Sequence, residues 1–263
     1  MERLKIELIE NFTEALLDQN AAVFAGAGLS VPAGYVNWRE LMRSFASDLG
    51  LDVDREHDLI EVAQYHLNER SRHQINQAIV RELNRKATST ENHQILAKLP
   101  IKTYWTTNYD TLIEDALREA DKNPDVKITQ ANLSTNIPRR DAVVYKMHGD
   151  KSQPNEAVVT KDDYEAYNDK RLLFSTALQG DLVAKTFLFL GFSFTDPNLS
   201  YVLSRIRVLL GENRRDHYCL IRRVQRRDYD TNGEFTYEKV KQELKLKDLG
   251  RYGIIGVLVD ELH

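Results

Sequence analysis

Hydrophobic residues along the chain follow two different spacings. Leu4, Leu8 and Phe12 recur at intervals of four, which predicts an amphipathic helix over residues 3 to 18. Short, nearly continuous apolar runs indicate buried strands, and they cover residues 21–25, 102–106, 126–130, 142–147, 157–160, 186–192, 218–221 and 254–259. Because helical segments alternate with most of these runs, the pattern predicts an α/β fold with a doubly wound, mostly parallel sheet.

A long helical stretch separates the first predicted strand from the second. Asn37 followed by Glu40 is an Asn variant of the capping box, and Gly50 is placed to end the helix that starts there. Residues 56–97 continue with helical spacing and many polar side chains. We therefore expect a helical insert over roughly residues 37–97, which forms a small subdomain over one edge of the sheet within a single domain of residues 1–263.

Composition narrows the classes of partner. The net charge of -4 gives no electrostatic support for nucleic-acid binding, and no run approaches the roughly 20 apolar residues that a membrane span needs. Cys219 is the only cysteine, which excludes a disulfide within the chain and a four-cysteine zinc site. We predict a cytoplasmic protein that binds neither nucleic acid nor a membrane.

The first candidate site is a glycine turn directly after the first predicted strand. The sequence Gly26-Ala27-Gly28-Leu29-Ser30 lies where a dinucleotide diphosphate would meet the start of a helix. Val31 replaces the third glycine of the dinucleotide fingerprint, so the motif argues against a hydride-transfer dehydrogenase. The alternative is a tight turn that needs glycine for its backbone alone.

Two further motifs also follow predicted strands. In Thr107-Asn108-Tyr109-Asp110, Asn108 can hold a water or a sugar hydroxyl, and the alternative is an ordinary helix N-cap. In His148-Gly149-Asp150, His148 can act as a general base, and the alternative is one more structural histidine among the seven in the chain.

The last motif closes the most apolar of the predicted strands. In Gly191-Phe192-Ser193, the serine hydroxyl can bond a ribose or a phosphate. Asp196, which precedes a proline, is interpreted as a helix cap. The arginine pairs at 222–223 and 226–227 have acidic neighbours, so they indicate a solvated face or a subunit contact.

Taken together, the four motifs occur in the order seen in sirtuins. Residues 24–30, 104–110, 145–150 and 191–198 resemble most closely the bacterial sirtuin-like NAD hydrolases of antiphage defence, the Thoeris effectors. The resemblance spans nearly the whole chain. Two departures from the sirtuin deacylases are clear: their four-cysteine zinc module is absent, and residues 31–38 replace the Pro-Asp-Phe-Arg that follows their glycine turn.

The resemblance implies a Rossmann-like fold without a zinc module, and the hydrolysis of NAD+ to ADP-ribose and nicotinamide. NAD+ would be the substrate, and neither a true cofactor nor a metal would be required. Asn108 would hold the attacking water or the nicotinamide ribose, and His148 would be the general base. The dinucleotide contacts implied are Ala25, Gly26, Ala27, Ser30, Asp110, Gly191, Phe192 and Ser193. The alternatives are an NAD-dependent protein deacylase and a nucleotide-sensing module without catalysis.

The resemblance also bears on partners. Effectors of this family carry a C-terminal regulatory domain that binds a cyclic ADP-ribose-type signal. That domain is expected to lie outside this chain, because residues 259–263 follow the last predicted strand without a covering helix. The apolar stripe of the first predicted helix points to a homo-oligomer.

Overall fold

The structure is a computed structural model that describes residues 2–84 and 87–260. Within these ranges seven strands form one sheet, and all neighbouring strands are parallel. The strands are β1 (Ala21–Ala25), β2 (Thr103–Thr106), β3 (Pro124–Lys127), β4 (Ala142–Lys146), β5 (Thr186–Leu190), β6 (His217–Arg222) and β7 (Ile254–Val259). Their spatial order is β3-β4-β2-β1-β5-β6-β7, so the chain winds outward in one direction from β1 and then in the other from β5. The predicted doubly wound Rossmann-like sheet is confirmed.

Helices cover both faces of this sheet. They are α1 (Glu2–Leu17), α2 (Ala27–Ser30), α3 (Trp38–Asp48), α4 (Leu59–Glu69), α5 (Arg72–Leu83), α6 (Glu91–Lys98), α7 (Leu112–Glu119), α8 (Gln130–Leu133), α9 (Lys161–Glu165), α10 (Tyr167–Ala184), α11 (Pro197–Leu210) and α12 (Asn232–Gly250). Short 3-10 turns lie at Val31–Ala33, Val53–Arg55, Pro154–Glu156, Gly211–Asn213 and Arg226–Asp228.

Side chains of β1 point alternately into two cores, as the period of a strand requires. Ala22 and Phe24 pack on one face with α10, α11 and Leu249 of α12. Ala21 and Val23 pack on the other face with α1, α6 and α7. The central strand is therefore buried from both sides, which explains why its sequence is apolar throughout.

The helical insert has a core of its own. Helices α3, α4 and α5 bury a third cluster around Met42, Phe45 and Ile79, which also takes in Tyr109 and Val159 from the loops of the sheet. The predicted start of α3 is confirmed, because the Asn37 side chain accepts a hydrogen bond of 2.9 Å from the Glu40 amide. By contrast, α6 packs into the core beside β1, so as a packing unit the insert ends with α5.

Three expectations about elements need correction. Residues 157–160 are not a strand: Val158 donates its amide to the His148 carbonyl, Val159 fills the insert core, and Thr160 caps α9. The strand expected at 126–130 is Pro124–Lys127, and α8 begins where that run was expected to end. The last strand is not bare, since α12 and α1 contact β7 from the two sides of the sheet. Residues 261–263 of that expectation lie outside the described residues.

The chain reverses its winding between β1 and β5, and there two loops touch through their backbones. The amides of Gly26 and Gly28 donate to the carbonyls of Leu190 and Gly191, each at 2.9 Å. Gly191 has a φ of 62°, and a Cβ on it would lie 2.2 Å from the amide nitrogen of Leu29. Any larger residue at Gly191 would therefore push the two loops apart.

This contact predicts a stability effect. Gly191→Ala should destabilise the fold by about 2 to 3 kcal/mol, because strain at positive φ adds to a backbone clash. Gly180→Ala is the matched control: Gly180 lies inside α10, and a methyl group added there would meet no heavy atom within 4 Å, so alanine should stabilise slightly. Urea unfolding of both variants tests the prediction, and equal midpoints would contradict it.

Candidate active site

The four motifs come together because they follow four adjacent strands. The glycine turn follows β1, residues 107–110 follow β2, His148 follows β4, and residues 191–196 follow β5. Parallel strands end at the same edge of a sheet, and ligands bind where the winding reverses. There the loops line a cleft of about 730 Å³, closed on its other side by the insert. This volume lies within the roughly 300–1,000 Å³ of small-molecule sites.

The wall contributed by the insert is mostly apolar and aromatic. Its apolar and aromatic lining residues are Tyr35, Val36, Trp38, Leu41, Leu59, Ile60 and Leu83, and its polar ones are Asn37, Arg39 and Glu82. The wall contributed by the sheet loops carries most of the polar groups. The cleft therefore combines a dry surface for a planar ring with a small set of hydrogen-bonding groups, as small-molecule sites usually do.

Asn108 lines this cleft and is not a helix cap. Its side-chain Nδ2 donates to the carbonyl of Gly26 and to the hydroxyl of Ser30, both at 3.0 Å. Its backbone amide donates to the hydroxyl of Thr106 at 2.9 Å. Because the amide nitrogen is committed to the protein, the side-chain oxygen is the group of Asn108 that can accept a hydrogen bond from a water or a sugar hydroxyl.

Asp110 supports Asn108 through a serine. Its Oδ2 accepts from the hydroxyl of Ser30 at 2.8 Å, and its Oδ1 accepts from the amide of Leu112 at the start of α7 at 3.0 Å. The Ser30 hydroxyl in turn accepts from Asn108. The chain from Asp110 through Ser30 to Asn108 fixes the orientation of the asparagine.

A fully buried lysine lies beneath this turn. The ammonium of Lys146 donates to the carbonyl of Asp110 and forms ion pairs of 3.1 Å with Glu114 and 2.5 Å with Asp150. Burial alone would lower the pKa of Lys146, but the two carboxylates hold that pKa above its ordinary value. Burial raises the pKa of Glu114, whereas Lys146 outweighs burial at Asp150 and lowers the pKa of that carboxyl. The lysine and Glu114 were not among the residues predicted from sequence, although a lysine closing an apolar strand was a visible signal.

His148 is buried at the bottom of the cleft, with 4% of its surface exposed. Its Nε2 lies 3.3 Å from Oδ2 of Asp196, and the described residues offer this nitrogen no hydrogen bond of good geometry. The rings of Tyr164 and Tyr167 pack against the imidazole in T-shaped arrangements. Burial lowers the pKa of His148, and the charge of Asp196 offsets part of that effect. The imidazole is therefore neutral near pH 7 and can accept a proton.

The loop after β5 supplies the remaining polar groups. Ser193 is exposed, with its hydroxyl 2.7 Å from that of Thr195 and its carbonyl held by Lys245 at 2.8 Å. Phe192 packs edge-on against Phe24 of β1. Asp196 caps α11, since its Oδ1 accepts from the Leu199 amide at 2.8 Å. The cap was predicted, but the contact of the second carboxylate oxygen with His148 was not.

Some residues of the glycine turn pack inside the protein, and others line the cleft. Ala25 is fully buried, and its carbonyl accepts from the hydroxyl of Thr106, while the carbonyl of Gly26 accepts from Asn108. Neither lines the cleft, whereas Ala27 and Ser30 do. Of the other predicted contacts, Asp110, Gly191, Phe192 and Ser193 also line it. The structure thus gathers most of the predicted dinucleotide contacts around one cleft and leaves Ala25 and Gly26 behind it.

Residues 2–84 and 87–260 contain neither a metal-binding cluster nor a membrane-spanning helix. No group of three or more His, Cys, Asp or Glu side chains is arranged to hold a metal ion. No helix in these ranges has the length and apolar content to cross a membrane.

Comparison with known proteins places the chain among SIR2-like sequences. A family model described as a SIR2-like domain matches residues 102–244. The chain is 51% identical over 260 residues to the NAD(+) hydrolase ThsA of Cytobacillus dafuensis, covering 97% of this chain and 53% of that protein. It is 53% identical over 257 residues to the NAD(+) hydrolase ThsA of Bacillus cereus (strain MSX-D12), covering 97% and 54%.

A more distant relative is named for defence. Defense-associated sirtuin 2 of Bacillus subtilis is 26% identical over 213 residues, covering 78% of this chain and 21% of that protein. The chain spans about half the length of the ThsA relatives that it matches.

Proposed function

This chain belongs to the SIR2-like family, and on that premise we propose that its cleft hydrolyses NAD+ to ADP-ribose and nicotinamide. NAD+ is a substrate here and not a cofactor. The observation that carries the proposal is the placement of a buried His148 and a fixed Asn108 on one dinucleotide-sized cleft. The names of the relatives that match nearly the whole chain support it.

The chemistry fits these two groups. Breaking the bond between ribose and nicotinamide passes through an oxocarbenium-like state, and the cationic nicotinamide leaves as a neutral molecule that takes the bonding electrons. No general acid is needed. A ribose hydroxyl gives its proton, or a hydrogen bond, to His148, while the Asn108 oxygen holds the water that attacks the anomeric carbon.

The other groups of the cleft bind the dinucleotide or exclude water. Ala27, Ser30 and the loop around Gly191 lie where the diphosphate would pass, and Ser193 is placed to bond a phosphate or ribose oxygen. The apolar wall of the insert shields the oxocarbenium-like state from bulk water. Asp110 acts through Ser30, as the hydrogen bonds between them support.

The biological setting is also a proposal. We place this activity in bacterial antiphage defence, where it would deplete cytoplasmic NAD+, because the relatives carry ThsA and defence-associated names. A regulatory domain that binds a cyclic ADP-ribose-type signal would act on it from outside this chain. A homo-oligomer is supported by α1, which exposes Leu4, Ile6, Ile9 and Leu17.

The test is nicotinamide release from NAD+ by the purified protein beside Asn108→Ala. We expect the variant to lose about 10²-fold in rate, because the attacking water is no longer positioned. Circular dichroism checks its fold, since Asn108 also braces the glycine turn. Wild-type turnover of an acetyl-lysine peptide faster than NAD+ hydrolysis would point instead to a deacylase. Stabilisation by NAD+ without nicotinamide release would point to a sensing module.

A further inference from the structure

We propose that Asp196 is the positioning residue of His148: its Oδ2 pairs with the imidazolium that forms when the ring takes a proton from the substrate ribose. This inference rests on the proposed NAD+ hydrolysis and assigns a supporting residue to the general base His148.

Two hydrogen bonds hold the carboxylate of Asp196, and His148 lies beside it. Its Oδ1 accepts from the Leu199 amide at 2.8 Å, so the start of α11 fixes its position. Its Oδ2 accepts from the hydroxyl of Tyr164 at 3.3 Å and lies 3.3 Å from Nε2 of His148. Asp196 is thus more than a cap, because one oxygen holds the helix and the other faces the histidine.

The backbone leading to Asp196 is built to hold this placement. Phe194 has a φ of 60°, an uncommon conformation for a bulky residue, and its ring packs against Phe189 and Phe192. Such conformations persist where the surrounding packing enforces them, often beside functional sites. The aromatic packing carries the chain from the end of β5 to the carboxylate in a fixed turn.

His148 has an unsatisfied nitrogen in this place. Its Nε2 is buried and has no hydrogen-bond donor or acceptor of good geometry in the described part of the chain. A buried, unpaired polar atom is costly unless a ligand or a proton completes it. When the ring gains a proton from a ribose hydroxyl, the O–H bond breaks, an N–H bond forms, and Nε2 of the new cation lies beside the Asp196 carboxylate.

Other charged and titratable groups surround His148 on the helices packed against it. Asp163 and Tyr164 come from α9, and Tyr167 and Arg171 come from α10. The Asp163 carboxylate is already engaged by Arg72 and by the Thr160 amide. Asp196 is therefore the carboxylate placed to stabilise a positive charge on His148, because its Oδ2 lies in contact with the ring.

Asp196→Asn tests this role, because the amide keeps the volume and the acceptor of the cap while it removes the charge. An opposite charge within 4–6 Å shifts a pKa by about 1 to 3 units, so kcat for nicotinamide release should fall by about 10- to 1,000-fold. KM for NAD+ should change little. The imidazolium loses the carboxylate that stabilised it, so the pKa of His148 should fall. The acid limb of the pH–rate profile should therefore move to lower pH.

A second variant and a control separate this role from a structural one. Asp196→Ser also keeps a good cap acceptor and should show the same loss and the same shift of the acid limb. Asp52→Asn is the control, because Asp52 caps a surface turn by accepting from the Asp54 amide and should leave the rate unchanged. Titration of His148 by NMR should give a lower pKa in both Asp196 variants than in the wild type.

The outcomes can be told apart. A wild-type kcat and an unmoved acid limb in either folded Asp196 variant overturn the role of Asp196 and leave NAD+ hydrolysis standing. Absence of nicotinamide release from the wild-type protein overturns the proposed function, and this inference with it.

Discussion

Nicotinamide release is expected to fall by about 10²- to 10⁴-fold when His148 is replaced by glutamine, which is the typical contribution of a general base. The side chain is closely packed, with 4% of the residue's surface exposed and two tyrosine rings against the imidazole. Glutamine fits a similar volume and can still hydrogen-bond, but it cannot take a proton at neutral pH. The loss should therefore lie in kcat, with the protein still folded.

The pH dependence of the rate tests the same role of His148 independently. Because burial lowers the pKa of His148 below its ordinary value of 6.5, the wild-type rate should hold at neutral pH and fall only as pH drops through that lowered pKa. The residual rate of the glutamine variant should lack this acid limb. His57→Gln, at an exposed histidine, is the matched control and should behave as the wild type. An acid limb that survives in His148→Gln would assign it to another group.

The convergence of the motifs was predictable because it follows from topology. Each motif stands at the end of an apolar run, and parallel strands bring such ends to one edge of a sheet. Sequence could therefore place Asn108 and His148 on one site, although they are far apart in the chain. The motif alone does not separate a backbone role of the glycines from a binding role, and the structure shows a backbone role: Gly26 and Gly28 lie against the backbone of Gly191.

The remaining parts depend on contacts that spacing does not reveal. The run at 157–160 is apolar because it fills the core of the insert, and apolarity alone cannot separate such a buried loop from a strand. Asp196 has the signature of a cap, which accounts for one carboxylate oxygen and says nothing about the other. Asn108 has the signature of a cap as well, but α7 begins only at Leu112, and the side-chain amide of Asn108 bonds Gly26 and Ser30 instead.

Lys146→Met should destabilise the protein by about 3 to 5 kcal/mol, the usual cost of removing one partner from a buried ion pair. Methionine matches the length of the lysine stem, so little packing is lost. Without the ammonium, Glu114 and Asp150 both remain buried without their shared cation, and the carbonyl of Asp110 loses its donor. Urea unfolding measures the change, and Lys170→Met, at an exposed lysine, should stay within about 0.5 kcal/mol of the wild type.

The pH dependence identifies the charges as the cause. The pKa of Lys146 is raised above its ordinary 10.5, so its contribution to stability is present below pH 10.5 and is lost as pH rises through the folded-state value. The pKa of Asp150 is lowered below 3.8, so its contribution is present above pH 3.8 and is lost as pH falls through the folded-state value. The gap in unfolding free energy between wild type and Lys146→Met should be widest between these limits and should narrow towards both.

Glu114→Gln should destabilise the wild type but cost less in the Lys146→Met background, with a coupling energy of about 0.5 to 3 kcal/mol. Equal stability of Lys146→Met and wild type at neutral pH would mean that the buried carboxyls need no cation, and the turn that carries Asn108 would then be held by Ser30 and Asp110 alone.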